Sequence, residues 1–184
     1  MSNLTDFFPS GGGGGLTPKF QEFNASGTFT PSQALIDAGG YIEVFLVAGG
    51  GKPDGSSNGG SGGEALTKKM YLTSLNAISI VIGSGGATSN SLGGNSSFSG
   101  SAAGGIDVLT LGGAGRINTQ QTTTSPSWMA ASSATAGDGV FGYGAGGRSD
   151  TSGTGIYIPK ANTGQGGSLS INGASGYCLI KWYE

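Results

Sequence analysis

Two glycine motifs in the sequence match patterns that carry chemistry in enzymes. Gly142 to Gly147 fits G-x-G-x-x-G, in which a helix N-terminus binds a dinucleotide phosphate, and Gly59 to Gly63 fits the nucleophile elbow G-x-S-x-G. No helical pattern follows the first motif, and the second has no base of the usual kind because the chain contains no histidine. The absence of histidine also removes histidine triads and histidine zinc sites. We therefore predict that the protein is not an enzyme and holds no metal or cofactor.

The enzymatic alternative is a polysaccharide depolymerase, which would need a pair of converging carboxylates. The candidates are Asp107, Asp138 and Asp150, and their spacing gives no sign that they converge. We therefore prefer a binding or structural role to a hydrolytic one.

A set of aromatic and cationic residues stands out in an otherwise small and polar part of the chain. Such side chains stack on sugar faces or anchor protein interfaces, which makes them candidates for contact with a receptor. The alternative is that they fill a small satellite core beneath a long loop. Both interpretations stay open for the members of this set, Trp128, Phe141, Tyr143, Arg148 and Tyr157.

Residues 1 to 18 differ from the rest of the chain and read as an N-terminal arm and linker. Leu4, Phe7 and Phe8 form an apolar start, and the glycine run from Gly11 to Gly15 leads to Pro18. Terminal segments are ordered only when something holds them, so the arm is either an anchor that docks on a neighbouring protein or a frayed end. In the first case the anchoring residues are Leu4, Phe7 and Phe8.

The charge and apolar content narrow the classes of partner. The formal net charge is -2 with 8 Lys and Arg, which predicts no binding to nucleic acid. No apolar run is long enough to span a bilayer, and the N-terminus has no classical export signal, so we expect no membrane insertion. The single cysteine, Cys178, excludes an internal disulfide framework and fits assembly in a reducing cytoplasm.

The elements that would position these residues are strands, because apolar residues recur at period two from Lys19 onward. The strongest segment is Tyr41 to Ala48, with Ile42, Val44 and Leu46 on one face. In the last segment Cys178, Ile180 and Trp182 share a face and are expected in the core. No segment has helical spacing, and the predicted strands are 27–30, 41–48, 66–72, 78–82, 106–111 and 177–183.

The 40 glycines are clustered next to the ends of these strands. Glycine there supplies positive φ and permits backbones to approach closely, and longer runs adopt either polyglycine II helices or flexible loops. With 35% hydrophobic and 10% charged residues, the chain has the composition of a folded protein. We predict an all-β, glycine-rich, β-sandwich-like domain over residues 19–184, with long glycine-rich loops and an extended N-terminal arm.

The order of these segments resembles the glycine-rich domains of bacteriophage tail fibres. The resemblance begins at Gly27-Thr28-Phe29-Thr30-Pro31 and the strand that runs into Gly49-Gly50-Gly51. It continues through Gly59 to Ala65, Ile80 to Gly86 and Gly93 to Ser99, and ends with Gly173 to Gly176 before the last strand. It implies an all-β, glycine-supported domain of a virion, often at a receptor-facing end.

Residues 114–163 depart from the simplest pattern of that family and form a long insertion, where recognition would lie by analogy with phage adhesins. The resemblance implies a virion protein of a tail fibre or baseplate that attaches to the host surface, through a glycan or an outer-membrane protein. It also implies contact with other virion proteins and a homo-oligomer, with a trimer favoured. The alternatives are a capsid decoration or connector protein that uses its arm, and an ice- or carbohydrate-binding protein outside any virus, which irregular glycine spacing disfavours.

Overall fold

The computed structural model describes residues 15–53, 59–100, 108–110, 112, 159–168 and 171–184, and these form two four-stranded antiparallel sheets. The first sheet has the order β1-β8-β3-β4 and the second the order β2-β5-β6-β7. Because β1 pairs with β8, the described chain begins and ends in adjacent strands. The strands are β1 (Pro18–Phe23), β2 (Gly27–Phe29), β3 (Tyr41–Val47), β4 (Ala65–Tyr71), β5 (Ile78–Val81), β6 (Ser96–Ser99), β7 (Val108–Thr110) and β8 (Tyr177–Tyr183).

A hydrophobic core lies between the two sheets, and both contribute fully buried side chains to it. From the first sheet come Ile42, Val44, Leu46, Cys178 and Ile180, each at alternate positions along β3 or β8. The second sheet contributes Phe29, Ile78, Ile80 and Phe98, and the ring of Phe29 meets that of Trp182 edge to face, with centroids 5.3 Å apart. The all-β prediction is confirmed, as is the placement of Cys178, Ile180 and Trp182 at the core.

One short helix, α1 (Gln33–Asp37), contradicts the expectation that no segment is helical. Its N-cap is Ser32, whose Oγ accepts a hydrogen bond from the Leu35 amide at 3.0 Å. Leu35 is completely buried, and Ile36 packs against the core. A helix of a single turn holds too few apolar residues to show a 3.6-residue period, which is why periodicity does not detect it.

The glycine clusters that follow or precede the strands come together in one region. We call this region the glycine bundle and define it as residues 48–52, 59–64, 82–87, 91–95, 112, 163–168 and 171–176. Its segments are not paired as strands, apart from isolated bridges at Lys52–Ser91 and Gly59–Ser168. They are joined instead by backbone hydrogen bonds that run between segments distant in sequence.

These hydrogen bonds recur every three residues along a segment. Ala48 and Gly51 donate to residues 64 and 61, Gly49 and Lys52 donate to residues 94 and 91, and Gly50 donates to Ala174, all at 2.9 to 3.0 Å. The same spacing appears where residues 60 and 63 donate to residues 167 and 164, and where residues 173 and 176 donate to residues 86 and 83. Three residues per turn is the repeat of a polyproline-II-type helix, so the bonds point in turn to three different neighbours. This is the bonding that a polyglycine II arrangement requires.

Close approach explains why glycine occupies the interior of the bundle. A Cβ atom at Gly50 would overlap the carbonyl oxygen of Gln165, and one at Gly49 would overlap that of Ser84. Positive φ is not the general reason, because among the described glycines only Gly39, Gly40 and Gly164 adopt it. The bundle therefore depends on the missing side chain, which lets one backbone lie directly against another.

Candidate functional site

The residues predicted to contact a receptor or to anchor the virion lie outside the described part of the chain. This holds for Trp128, Phe141, Tyr143, Arg148 and Tyr157 in the insertion and for Leu4, Phe7 and Phe8 in the arm. Asp107, Asp138 and Asp150, the carboxylates considered for hydrolysis, also lie outside it. All these assignments stay predictions.

The structure does show how the chain is held immediately before residues 113–158. The Gly112 amide donates to Oδ1 of Asn95 at 2.9 Å. A Cβ atom at Gly112 would overlap the carbonyl oxygen of Gly93, so this residue lies against the backbone of the glycine bundle. Gly112 is therefore held in place immediately before residues 113–158.

The chain is held again where it returns to the bundle. The Lys160 amide donates to Oε1 of Gln165 at 2.8 Å, and Oγ1 of Thr163 donates to the Lys160 carbonyl at 2.6 Å. Asn162 has a φ of 58°, a left-handed conformation that asparagine tolerates, and its Oδ1 accepts from Oγ of Ser175 at 2.8 Å. Gly112 and residues 160–163, which flank residues 113–158 in the sequence, are consequently both attached to the same glycine bundle.

A second candidate site lies on the outer face of the first sheet, away from the core. We call it the aromatic face and define it as Phe20, Tyr41, Tyr71 and Tyr183 with Glu43, Lys69 and Lys181. Phe20, Tyr71 and Tyr183 are 70%, 66% and 54% exposed. Tyr41 and Tyr71 are cross-strand partners whose rings meet edge to face, with centroids 5.4 Å apart.

Strand register explains why aromatic and charged residues alternate on this face. Ile42 and Val44 point into the core, so Tyr41 and Glu43 point outward. Glu43 pairs with Lys181 on one side and Lys69 on the other, and Lys181 pairs with Phe20 on β1. A row of charged groups therefore crosses the sheet beside the tyrosines, and Glu43 forms an ion pair with Lys69 at 3.8 Å.

The aromatic face contains an open groove of about 460 Å³. A groove of this size falls within the range of small-molecule sites. Its charged lining consists of the lysines at 19 and 181 and the glutamates at 22 and 43, so positive and negative groups are balanced. Three rings of the face, those of Phe20, Tyr41 and Tyr183, also line the groove.

The carboxylate of Glu184 closes one end of this sheet. It accepts a hydrogen bond from Ser32 Oγ and another from Trp182 Nε1 at 3.1 Å, and it lies 3.8 Å from Lys19 Nζ. The Ser32 hydroxyl, then the Trp182 N–H and then the charge of Lys19 hold the pKa of Glu184 below its ordinary value. Glu184 therefore ties the loop before α1 to the paired ends of β1 and β8.

Metal-binding groups and the single thiol can be assessed among the described residues. Within them there is no group of three or more Cys, Asp or Glu side chains that could hold a metal ion. Burial raises the pKa of the Cys178 thiol to about 12, so it stays protonated and is a poor nucleophile. The rings and charged groups of the aromatic face offer surfaces for stacking and hydrogen bonding.

Sequence patterns do not identify the aromatic face as a site. Its residues occupy alternate positions on separate strands, and only the order β1-β8-β3-β4 brings Phe20, Tyr41 and Tyr183 together. The sequence gives one hint of this face: tyrosines and charged residues occupy the positions that alternate with the core residues in these strands.

No helix among the described residues has the length and apolar character needed to cross a membrane. No protein-family model matches the chain, and no curated protein is significantly similar to it.

Proposed function

We propose that this chain is a non-catalytic structural protein of a bacteriophage particle, a tail-fibre or baseplate-associated adhesin that presents loops to the host surface. The proposal starts from the order of glycine motifs, which is similar to that of glycine-rich domains in phage tail fibres. The motifs after the first one supply segments of the glycine bundle, so these features of the resemblance also have a structural role in this molecule.

The observation that carries the proposal is that the chain is attached to the bundle on both sides of residues 113–158. Gly112 and the turn at residues 160–163 are held by hydrogen bonds to Asn95, Gln165 and Ser175. An adhesin needs a firm base so that contacts made by a loop are not lost to movement of its ends. The bundle supplies such a base, and its backbone bonding does not depend on the sequence of the segment it presents.

Repetition of the chain in a particle would strengthen attachment. Individually weak contacts add up to high avidity when several copies engage one surface. We therefore propose a homo-oligomer, with a trimer favoured, that contacts other virion proteins and a host glycan or outer-membrane protein. In this view the chain is a virion component assembled in the host cytoplasm.

The test uses particles of the phage that carries this chain. Peptide mass spectrometry of purified particles should detect the chain, and replacing residues 118–158 with a short Gly-Ser linker should slow adsorption to host cells while the copy number per particle stays unchanged. A matched variant lacking residues 1–15 should lower the copy number instead.

Two results would count against the adhesin. Absence of the chain from particles would remove the proposal altogether. Normal adsorption by particles that carry the linker variant at full copy number would favour the decoration or connector protein.

A further inference from the structure

We infer that the aromatic face binds a neutral saccharide, which adds a ligand-contact surface built from residues outside the 113–158 segment. The inference names a ligand class for the adhesin proposed above and in that sense rests on it. Saccharide binding is nevertheless a property of the isolated chain and can be measured without a particle.

The exposed rings of the face match the surfaces of a sugar. Phe20, Tyr71 and Tyr183 are more than half exposed on one face of one sheet, although large aromatic side chains usually contribute to cores or interfaces. Tyrosine combines an apolar ring with a polar tip and so suits a ligand that has C–H faces and hydroxyl edges. Saccharides have this combination of surfaces.

The charged groups between the rings supply both a donor and an acceptor of hydrogen bonds. Lys181 and Glu43 are cross-strand partners in the groove, the lysine being the donor and the glutamate the acceptor. Among the described residues Lys181 has no ion-pair partner, while Glu43 is engaged by Lys69 through one oxygen at 3.8 Å. Neighbouring sugar hydroxyls, which both donate and accept, can bind such a pair of groups together.

Charge balance selects a neutral ligand. The two lysines and two glutamates that line the groove cancel, and the whole chain carries a net charge of -2. A polyanion such as nucleic acid or an acidic polysaccharide would gain no net attraction from this surface. A neutral saccharide carries no net charge, so the cancelling charges of the groove do not weaken its binding.

Features of β1 disfavour a second copy of the chain as the occupant. β1 is an edge strand, and edges that pair with another chain are usually flat and free of charge and proline. This strand begins at Pro18 and carries Lys19 and Glu22, which are devices that oppose edge pairing. A second copy is therefore not expected to extend this sheet at β1, and the groove beside it is left for a small ligand.

The experiment presents the purified full-length chain to an array of neutral and acidic glycans and then measures the Kd of the strongest neutral glycan by calorimetry. We expect binding to at least one neutral glycan. Tyr183→Ala and Lys181→Met should each weaken it about tenfold, since each removes one stacking or hydrogen-bonding contact. Val81→Ala, an exposed position on the second sheet, is the control and should leave the Kd unchanged.

Thermal unfolding of each variant shows whether it is folded, and Phe20→Ala, which removes another exposed ring of the groove, replaces any variant that is not. The inference fails if no neutral glycan binds, if acidic glycans bind better, or if the face variants leave the Kd unchanged. It also fails if the chain binds no glycan and sedimentation shows that these substitutions dissociate an oligomer. The face would then be an interface between copies. Glycan binding by a chain that is absent from particles would overturn the proposed function and leave this inference intact.

Discussion

The sandwich core and the glycine bundle are held together in opposite ways. In the core, large side chains such as Phe98 and Ile80 fill the space between the two sheets. In the bundle, backbones contact each other directly, and hydrogen bonds at every third residue replace side-chain packing. A core tolerates small losses of volume because neighbouring side chains can adjust, whereas a backbone held on several sides has no such freedom. Adding one methyl group in the bundle should therefore cost more than removing one in the core.

The largest effect is expected from Gly50→Ala, which tests the bundle. The new Cβ would overlap the Gln165 carbonyl, and both backbones are fixed by hydrogen bonds. We expect a loss of about 3 kcal/mol or more in the free energy of unfolding, measured by urea denaturation. Gly15→Ala is the matched control and should be close to neutral, because a Cβ atom there would have no atom within 4 Å beyond its chain neighbours. Equal stability of the two variants would disprove the close-packed bundle.

An intermediate effect is expected where the core meets the bundle. The buried Ser96 hydroxyl accepts from the Gly83 amide at 2.9 Å and donates to the Val47 carbonyl at 2.7 Å. Ser96→Ala leaves both backbone groups without this partner, which should cost about 1–3 kcal/mol by thermal or chemical unfolding. Ser97→Ala, at the next and less buried position on β6, provides the comparison. A Ser96→Ala variant as stable as Ser97→Ala would show that water replaces the hydroxyl.

A smaller effect is expected in the core itself. Ile80 is almost completely buried between the sheets, and Ile80→Val removes one methylene group from a region that can partly relax. The expected loss is about 0.5–1.5 kcal/mol in the same unfolding measurement. Val81→Ala on the exposed side of β5 should cost less. If Ile80→Val cost as much as Gly50→Ala, the contrast between the two regions would disappear.

The smallest effect is expected outside both regions, at Glu184. Its pKa is lower in the folded chain than in the unfolded one, so its contribution to stability is present above the unfolded pKa and is lost as pH falls through the folded pKa. The midpoint temperatures of thermal unfolding of the native chain and of Glu184→Gln should therefore differ slightly at neutral pH. They should become equal under acid conditions. Asp37→Asn, at the exposed end of α1, serves as the control. A difference that persists unchanged at low pH would exclude this linkage.

Sequence patterns predict the central strands well and the peripheral elements poorly. Ile42, Val44 and Leu46 in β3, and Cys178, Ile180 and Trp182 in β8, are predicted to share one face, and these are the faces that pack into the core. β1 is not among the predicted strands, because its two phenylalanines, Phe20 and Phe23, are three residues apart and do not alternate. β6 has the polar sequence Ser96–Ser99 with Phe98 as its only large apolar residue, and its strand state depends on pairing with β5 and β7.

The candidate sites are predicted from sequence even less well than the peripheral strands. The predicted receptor and anchor residues lie outside the described chain, and no sequence pattern predicts the aromatic face. Phe20 and Tyr183 are separated by nearly the whole sequence, and they share a face only because β1 pairs with β8. No local pattern contains that information.

Local sequence is enough to establish the all-β class, the inward faces of the main strands and the clustering of glycine at strand ends. Period-two alternation and the absence of a side chain act on neighbouring residues, so both can be recognised along the chain. Which strands are neighbours, which glycine segments bond to one another and which tyrosines line one groove are set only in the folded molecule. Those outcomes depend on hydrogen bonds and contacts between distant residues, whose partners are selected when the whole chain is folded.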